Sequence, residues 1–207
     1  MVGFEIIHDD LQCKVAVSQI ISEEQLKLEP SNNDFQAKSI RRKCELFSTH
    51  KLIEKLLHTK VSYTYNERGK PLLKGRNEEI SISHSRNYSA VIVCENKKTG
   101  IDIEEFNPRI FKISGRFLSP AEHDLIEKQD DKMTWLYIIW CAKEALYKLS
   151  EISLDFCENI SIENFILSDS GTFNAHIIHP EKNEKHILHY KITEKYVLVW
   201  VVDFSSQ

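Results

Sequence analysis

Asp102 and Glu104 stand two apart in Gly100-Ile101-Asp102-Ile103-Glu104. On an extended strand, side chains at i and i+2 point to one face. The two carboxylates therefore share a face, and Ile101 and Ile103 take the other. Such an oxygen-rich patch suits a hard divalent cation, Mg²⁺ or Mn²⁺. The same pair also fits a strand edge whose acids meet only water. Farther on, Trp135, Ile138, Ile139, Ala142, Leu146 and Leu149 form one helical stripe, and Tyr137, Trp140, Cys141 and Ala145 nearly close the circle. A helix apolar on almost every side is buried. Lys143, Glu144 and Lys148 lie on it, and buried charges need partners or a metal. Glu144 and Lys148, at i and i+4, also have the spacing of a surface ion pair.

Three upstream groups suit phosphate. Ser83-His84-Ser85 follows an apolar strand, where hydroxyl, ring N–H and backbone N–H groups can hold phosphate oxygens, or simply form a polar turn. Gly69-Lys70-Pro71 is either a plain turn or a stiff one presenting a single cation. Arg41, Arg42 and Lys43 are a solvated helix face or a phosphate grip. The pairs His176/His179 and His186/His189 lie in strand-like sequence. There i and i+3 face opposite sides, which argues against a shared metal. No His-Glu-x-x-His and no Gly-x-Ser-x-Gly occurs, so zinc-protease and α/β-hydrolase readings lack their signatures.

The elements that must position these residues alternate. Strands are expected at Val2–Ile7 and Cys13–Val17, and a helix over Phe35–Thr59. Next come strands at Glu79–Ser83, Tyr88–Glu95 and Ile101–Glu104. Helices follow at Ile110–Leu118, Pro120–Gln129 and Asp131–Leu149. The remainder reads as strands, with turns near Gly171 and Pro180. Ile80–Val93 and Ile187–Val201 echo each other, which suggests two related halves meeting near Glu105–Phe111.

The 207 residues carry Lys+Arg 27 against Asp+Glu 31, a net charge of −4. No global basic field argues for nucleic acid. Gly 6 and Pro 5 are too few for a linker-like or collagen-like chain. Neither a dinucleotide fingerprint nor a Gly-x-x-x-x-Gly-Lys phosphate loop is present. Cys13, Cys44, Cys94, Cys141 and Cys157 are scattered, with no Cys-x-x-Cys, so no disulfide framework is expected and a reducing cytosol fits. The start has no signal-like pattern, and the longest apolar run, Val197–Val202, is far too short to span a bilayer. A cytoplasmic protein without membrane association is expected.

Gly100-Ile101-Asp102-Ile103-Glu104 followed by Trp140-Cys141-Ala142-Lys143-Glu144-Ala145-Leu146-Tyr147-Lys148 resembles the paired motifs of the 4′-phosphopantetheinyl transferases. The length, Gly69-Lys70-Pro71 and Ser83-His84-Ser85 resemble the longer, monomeric surfactin-type branch. The resemblance runs from about Arg41 to Lys148. It implies a pseudo-dimeric α+β fold of two similar halves, each a helix packed on an antiparallel sheet, with the active site between them. The halves would be residues 1–104 and 105–207. It also implies transfer of the 4′-phosphopantetheine arm of coenzyme A to a serine of an apo acyl or peptidyl carrier protein, releasing adenosine 3′,5′-bisphosphate.

By that resemblance Asp102, Glu104 and Glu144 hold Mg²⁺, and Lys148 reaches a phosphate oxygen. Either Glu144 or a water near Glu104 accepts the serine proton. Arg41, Arg42, Lys70 and His84 grip the 3′-phosphate, and Ser83 helps fix the nucleotide. Glu122 matches a recurring family acid that supports the site. Ser81, Arg86 and His50 stand where the family often has Asn, Gly and Arg. Arg109, Lys112 and Arg116 recur at i, i+3 and i+7 and would offer acidic carriers a basic helix face, with Phe111 and Phe117 as an apolar anchor. The competing readings are a degenerate coenzyme A or carrier-binding module, and an unrelated Mg²⁺-dependent phosphohydrolase.

Overall fold

The computed structural model describes residues 3–29, 35 and 37–203. The chain divides into two compact units, Met1–Asn96 and Lys97–Gln207. Each is an antiparallel sheet carrying a long helix, an α+β architecture.

In the first unit, β1 (Phe4–Asp9) and β2 (Cys13–Gln19) form a hairpin. A short helix α1 (Glu23–Lys27), begun by the Ser22 capping box, precedes α2 (Ile40–Leu57). Then come β3 (Tyr63–Tyr65), β4 (Pro71–Leu73), β5 (Glu78–His84) and β6 (Tyr88–Glu95). The sheet order is β1-β2-β6-β5-β4-β3. Helix α2 lies across β2 and β6. Its Leu52, Ile53 and Leu56 pack with Ala16, Ile80, Val91 and Val93. The periodic stripe foretold this helix but began it too early. Ser39 accepts a hydrogen bond from the Arg42 N–H and sets the start, as serine does at an N-cap. Of the expected helix over Phe35–Thr59, residue 36 lies outside the described residues.

The cysteine expectation is corrected here. Cys13 and Cys94 are register partners on β2 and β6 and form a disulfide across 81 residues of sequence. Local spacing carries no trace of a pairing made by strands so far apart. Cys44, Cys141 and Cys157 are free thiols.

In the second unit, β7 (Thr99–Glu105) leads to α3 (Ile110–Ile113), a 3₁₀ turn (Ser114–Arg116), α4 (Pro120–Glu127) and α5 (Lys132–Ser150). Strands β8 (Ile160–Ile162), β9 (Ser170–His179), β10 (Lys182–Ile192) and β11 (Tyr196–Val202) follow. The order is β7-β11-β10-β9-β8. Because β7 pairs with β11, the Asp-x-Glu strand belongs to the second unit, and the division lies after Asn96, not after Glu104. The segment expected as one helix over Ile110–Leu118 is a four-residue helix followed by a 3₁₀ turn. Gly171 lies inside β9, and only the Pro180 turn, between β9 and β10, is a reversal.

Helix α5 packs on β7 and β11. Cys141, Ala142, Ala145 and Leu146 are fully buried, as expected for a helix apolar on nearly all sides. Asp131 caps its start by accepting from the Thr134 N–H and hydroxyl. Gly100 sets how closely strand and helix meet. A Cβ there would stand 1.9 Å from the Ala145 carbonyl oxygen. Among the described residues, no helix is long and apolar enough to cross a membrane.

Candidate active site

Strand β7 turns Asp102 and Glu104 toward α5, as the i, i+2 pattern requires. Asp102 is 4% exposed. The Lys148 ammonium, reaching over from α5, donates to Asp102 Oδ1 at 2.7 Å and to the Ile101 carbonyl at 2.8 Å. The direct ion pair of Lys148 is therefore with the strand residue Asp102. Glu144 is half-buried. Burial raises its carboxyl above the usual range, the Asp102 charge raises it further, and Lys148 offsets part of the shift. Glu104 accepts a hydrogen bond from the Trp140 indole at 3.3 Å. The fully buried Cys141 thiol lies between these acids and is pushed well up by burial and by the charges of Asp102 and Glu104.

The structure thus brings Asp102, Glu104, Glu144 and Lys148 to one strand–helix seam. Among the described residues no group of three His, Cys, Asp or Glu side chains is placed to hold a metal ion; the Lys148 ammonium sits against Asp102, the most buried of the acids. The donor set fits a hard divalent cation. The acids are carboxylates, the oxygen ligands such a cation takes, and one ammonium offsets only part of their charge.

Behind the seam, two residues of the helix motif hold it in shape. The Lys143 side chain is wholly buried and donates to Glu122 Oε2 at 2.6 Å, the Phe117 carbonyl at 2.7 Å and the Phe156 carbonyl at 2.7 Å. Those three acceptors match the three protons of an ammonium. Burial pulls the Lys143 ammonium below its usual range, and Glu122 counters only part of that. The rings of Phe117 and Phe156 flank Trp140, with centroids at 5.2 and 5.8 Å. Glu122 also closes the Ser119 capping box of α4. Glu122 is thus a buried anchor that bonds Lys143 and the Ile162 N–H.

The first unit gathers most of the residues expected at the nucleotide. Thr49 Oγ1 shares hydrogen bonds with His84 Nε2 at 2.6 Å and Ser89 Oγ at 2.8 Å. Arg41 and Arg42 both donate to Glu45, at 3.2 and 2.9 Å. Burial works to raise the Glu45 carboxyl, but Arg42 and Arg41 outweigh it and hold it low, with His84 adding to the effect. Ser83 is buried at the end of β5. Lys70, on the turn between β3 and β4, forms an ion pair with Glu79 at 2.6 Å. Gly69 takes the left-handed φ of 79° that this turn needs. Sequence reasoning missed Thr49. The signal was there: a hydroxyl four residues before Ile53, where the α2 stripe calls for an apolar side chain.

Arg109, Lys112 and Arg116 are all exposed. Among the described residues their side chains form no ion pair. Arg109 precedes α3, Lys112 is on it and Arg116 ends the 3₁₀ turn, so they do not share one continuous helical face; of the two expected apolar anchors, Phe111 is exposed and Phe117 is fully buried. The histidine pairs lie on β9 and β10 as strand residues. His186 is buried, while His189 stacks on Trp200 and His176 bonds Glu163.

Residues 98–201, half of the chain, match the family model of the 4′-phosphopantetheinyl transferase superfamily. The matched segment contains the whole seam. The chain belongs to that superfamily. It is 31% identical over 110 residues to the 4′-phosphopantetheinyl transferase HetI of Nostoc sp. (strain PCC 7120), covering 49% of this chain and 46% of that protein. It is 30% identical over 125 residues to a Haemophilus influenzae protein whose name assigns it 4′-phosphopantetheinyl transferase activity provisionally, covering 57% and 53%. The chain spans about half the length of the curated relatives it matches.

Proposed function

We propose that the protein transfers the 4′-phosphopantetheine group of coenzyme A to a serine hydroxyl of an apo acyl or peptidyl carrier protein, releasing adenosine 3′,5′-bisphosphate. The serine oxygen forms a bond to the phosphorus that carries the pantetheine arm. The bond from that phosphorus to the bridging pyrophosphate oxygen breaks, and the serine proton passes to a base. The observation that carries this reading is the seam of Asp102, Glu104, Glu144 and Lys148, set on β7 and α5 within the segment that matches the superfamily.

Asp102, Glu104 and Glu144 would hold Mg²⁺, or Mn²⁺ in its place. The cation supplies neutralisation of charge on the pyrophosphate. Lys148 would contact a phosphate oxygen. Glu144, already raised by burial and by Asp102, suits a proton acceptor; a water held near Glu104 is the other acceptor. Arg41, Arg42, Lys70 and His84 would bind the 3′-phosphate and Ser83 the nucleotide. Arg109, Lys112 and Arg116 would receive the acidic carrier. We read the protein as a monomer of the longer, surfactin-type branch, placed in the cytoplasm although its Cys13–Cys94 bond is of a kind rare in a reducing compartment.

The test is incubation with coenzyme A, Mg²⁺ and an apo carrier protein, followed by weighing the carrier. A gain of one phosphopantetheine arm, abolished in Asp102→Asn and Glu144→Gln, is the expected result. Coenzyme A binding without any mass gain would mark a degenerate binding module instead. Substantial Mg²⁺-dependent transfer by Glu144→Ala would remove Glu144 from the machinery.

A further inference from the structure

The lysine at the end of the seam points to a step that precedes the reaction. Lys148 Nζ lies 2.7 Å from Asp102 Oδ1, and its second acceptor is the Ile101 carbonyl at 2.8 Å. Both acceptors belong to β7, so the ammonium is held against the strand that bears the cation-binding acids. Asp102 is 4% exposed, whereas the Lys148 side chain is 27% exposed. The acid is fixed in the wall, and the flexible partner keeps a route to water. Glu144, one turn earlier on α5, feels both charges.

We propose that Lys148 is a placeholder for the divalent cation: its ammonium occupies the Asp102 carboxylate until a cation displaces it and leaves it available to a phosphate oxygen. The inference rests on reading Asp102 and Glu144 as cation ligands. A buried carboxylate such as Asp102, with half-buried Glu104 and Glu144 beside it, needs a positive charge nearby. A monovalent ammonium on a four-carbon stem supplies that charge and leaves easily, because lysine is a compact, mobile point charge. A divalent ion carries twice the charge and takes several oxygens at once, so it wins the exchange. The displaced ammonium remains tethered one helical turn from Glu144, which places it where the substrate's phosphates would lie. Cation and coenzyme A binding would then be coupled through one side chain.

Mn²⁺ binding, measured by electron paramagnetic resonance with no coenzyme A present, tests this. Lys148→Met removes the competitor and should bind Mn²⁺ about tenfold more tightly than wild type, or more. Lys148→Arg restores a competing cation and should bring the affinity back to the wild-type value or below. In the wild type, the ¹⁵N resonance of the Lys148 ammonium should shift when Mg²⁺ is added, a readout that does not depend on any variant folding. Equal Mn²⁺ affinity of wild type and Lys148→Met, or an ammonium signal unmoved by Mg²⁺, overturns the placeholder role while the cation site stands. Failure of both proteins to bind Mn²⁺ overturns the site and the inference together.

Discussion

Lys143 Nζ and Glu122 Oε2 stand 2.6 Å apart with both side chains out of water. The pair ties α5 to α4, and the carbonyls of Phe117 and Phe156 complete the ammonium's partners. Breaking a buried pair from one side leaves a charge with no compensation, at a cost of about 3–5 kcal/mol. Lys143→Met should therefore lower stability by about that amount in urea titrations. The double variant Lys143→Met with Glu122→Leu should recover much of the loss. It should stay about 1 kcal/mol or more below wild type, because Glu122 also caps α4. A double variant no more stable than Lys143→Met would show that charge burial is not what the pair governs.

Gly100→Ala should be severe for a different reason. The added Cβ meets backbone, the Ala145 carbonyl oxygen at 1.9 Å, and a backbone atom cannot swing aside. The strand and helix must part, which costs about 3 kcal/mol or more. Near-ultraviolet circular dichroism and denaturant unfolding should show the change together. Unaltered stability would mean that β7 and α5 do not need this close approach.

Arg109, Lys112 and Arg116 present cations with no ion-pair partner among the described residues, beside Phe111 at 48% exposure. Reversing all three to Glu should raise the KM for an acidic carrier at least about tenfold and flatten its salt dependence. Coenzyme A affinity should hardly move. An unchanged KM would place carrier docking on another surface.

Glu163 offers a pH signature away from the seam. His176 donates to it at 2.6 Å, Asn174 at 2.8 Å and Lys185 at 2.9 Å. These bonds, His176 first, hold its carboxyl at about 2 instead of the usual 4.5. A depressed carboxyl contributes stability above its unfolded value and loses it as pH falls toward its folded one. Glu163→Gln should thus melt below wild type at neutral pH, and the gap should close between pH 4.5 and about 2. A gap independent of pH would assign the loss to packing.

The seam was legible in the sequence because each of its parts obeys a short period. Asp102 and Glu104 follow the two-residue alternation of a strand, and Glu144 and Lys148 the near-four-residue turn of a helix. What those periods could not report is which partner a charge chooses across the fold. Lys148 lies four residues from Glu144, yet binds Asp102, 46 residues away. The same limit hid the Cys13–Cys94 bond and the Thr49–His84 contact, which depend on strand register and helix docking. The α3 segment failed for a local reason. Gly115 sits in the 3₁₀ turn and weakens the helix that the flanking apolar residues suggested.

The pairing of β7 with β11 has a consequence for how the protein is made. Strand β7 leaves the ribosome before α5 and the four later strands, yet among the described residues its neighbour in the sheet is the last of them. The backbone of β7 therefore waits for its ladder to β11 until about a hundred further residues have been synthesised. During that interval β7 is an open edge that other chains can join. Expression at a slowed elongation rate should then lower the soluble yield, and a stalled chain released before Tyr196 would carry the catalytic motifs without the strand that seats them.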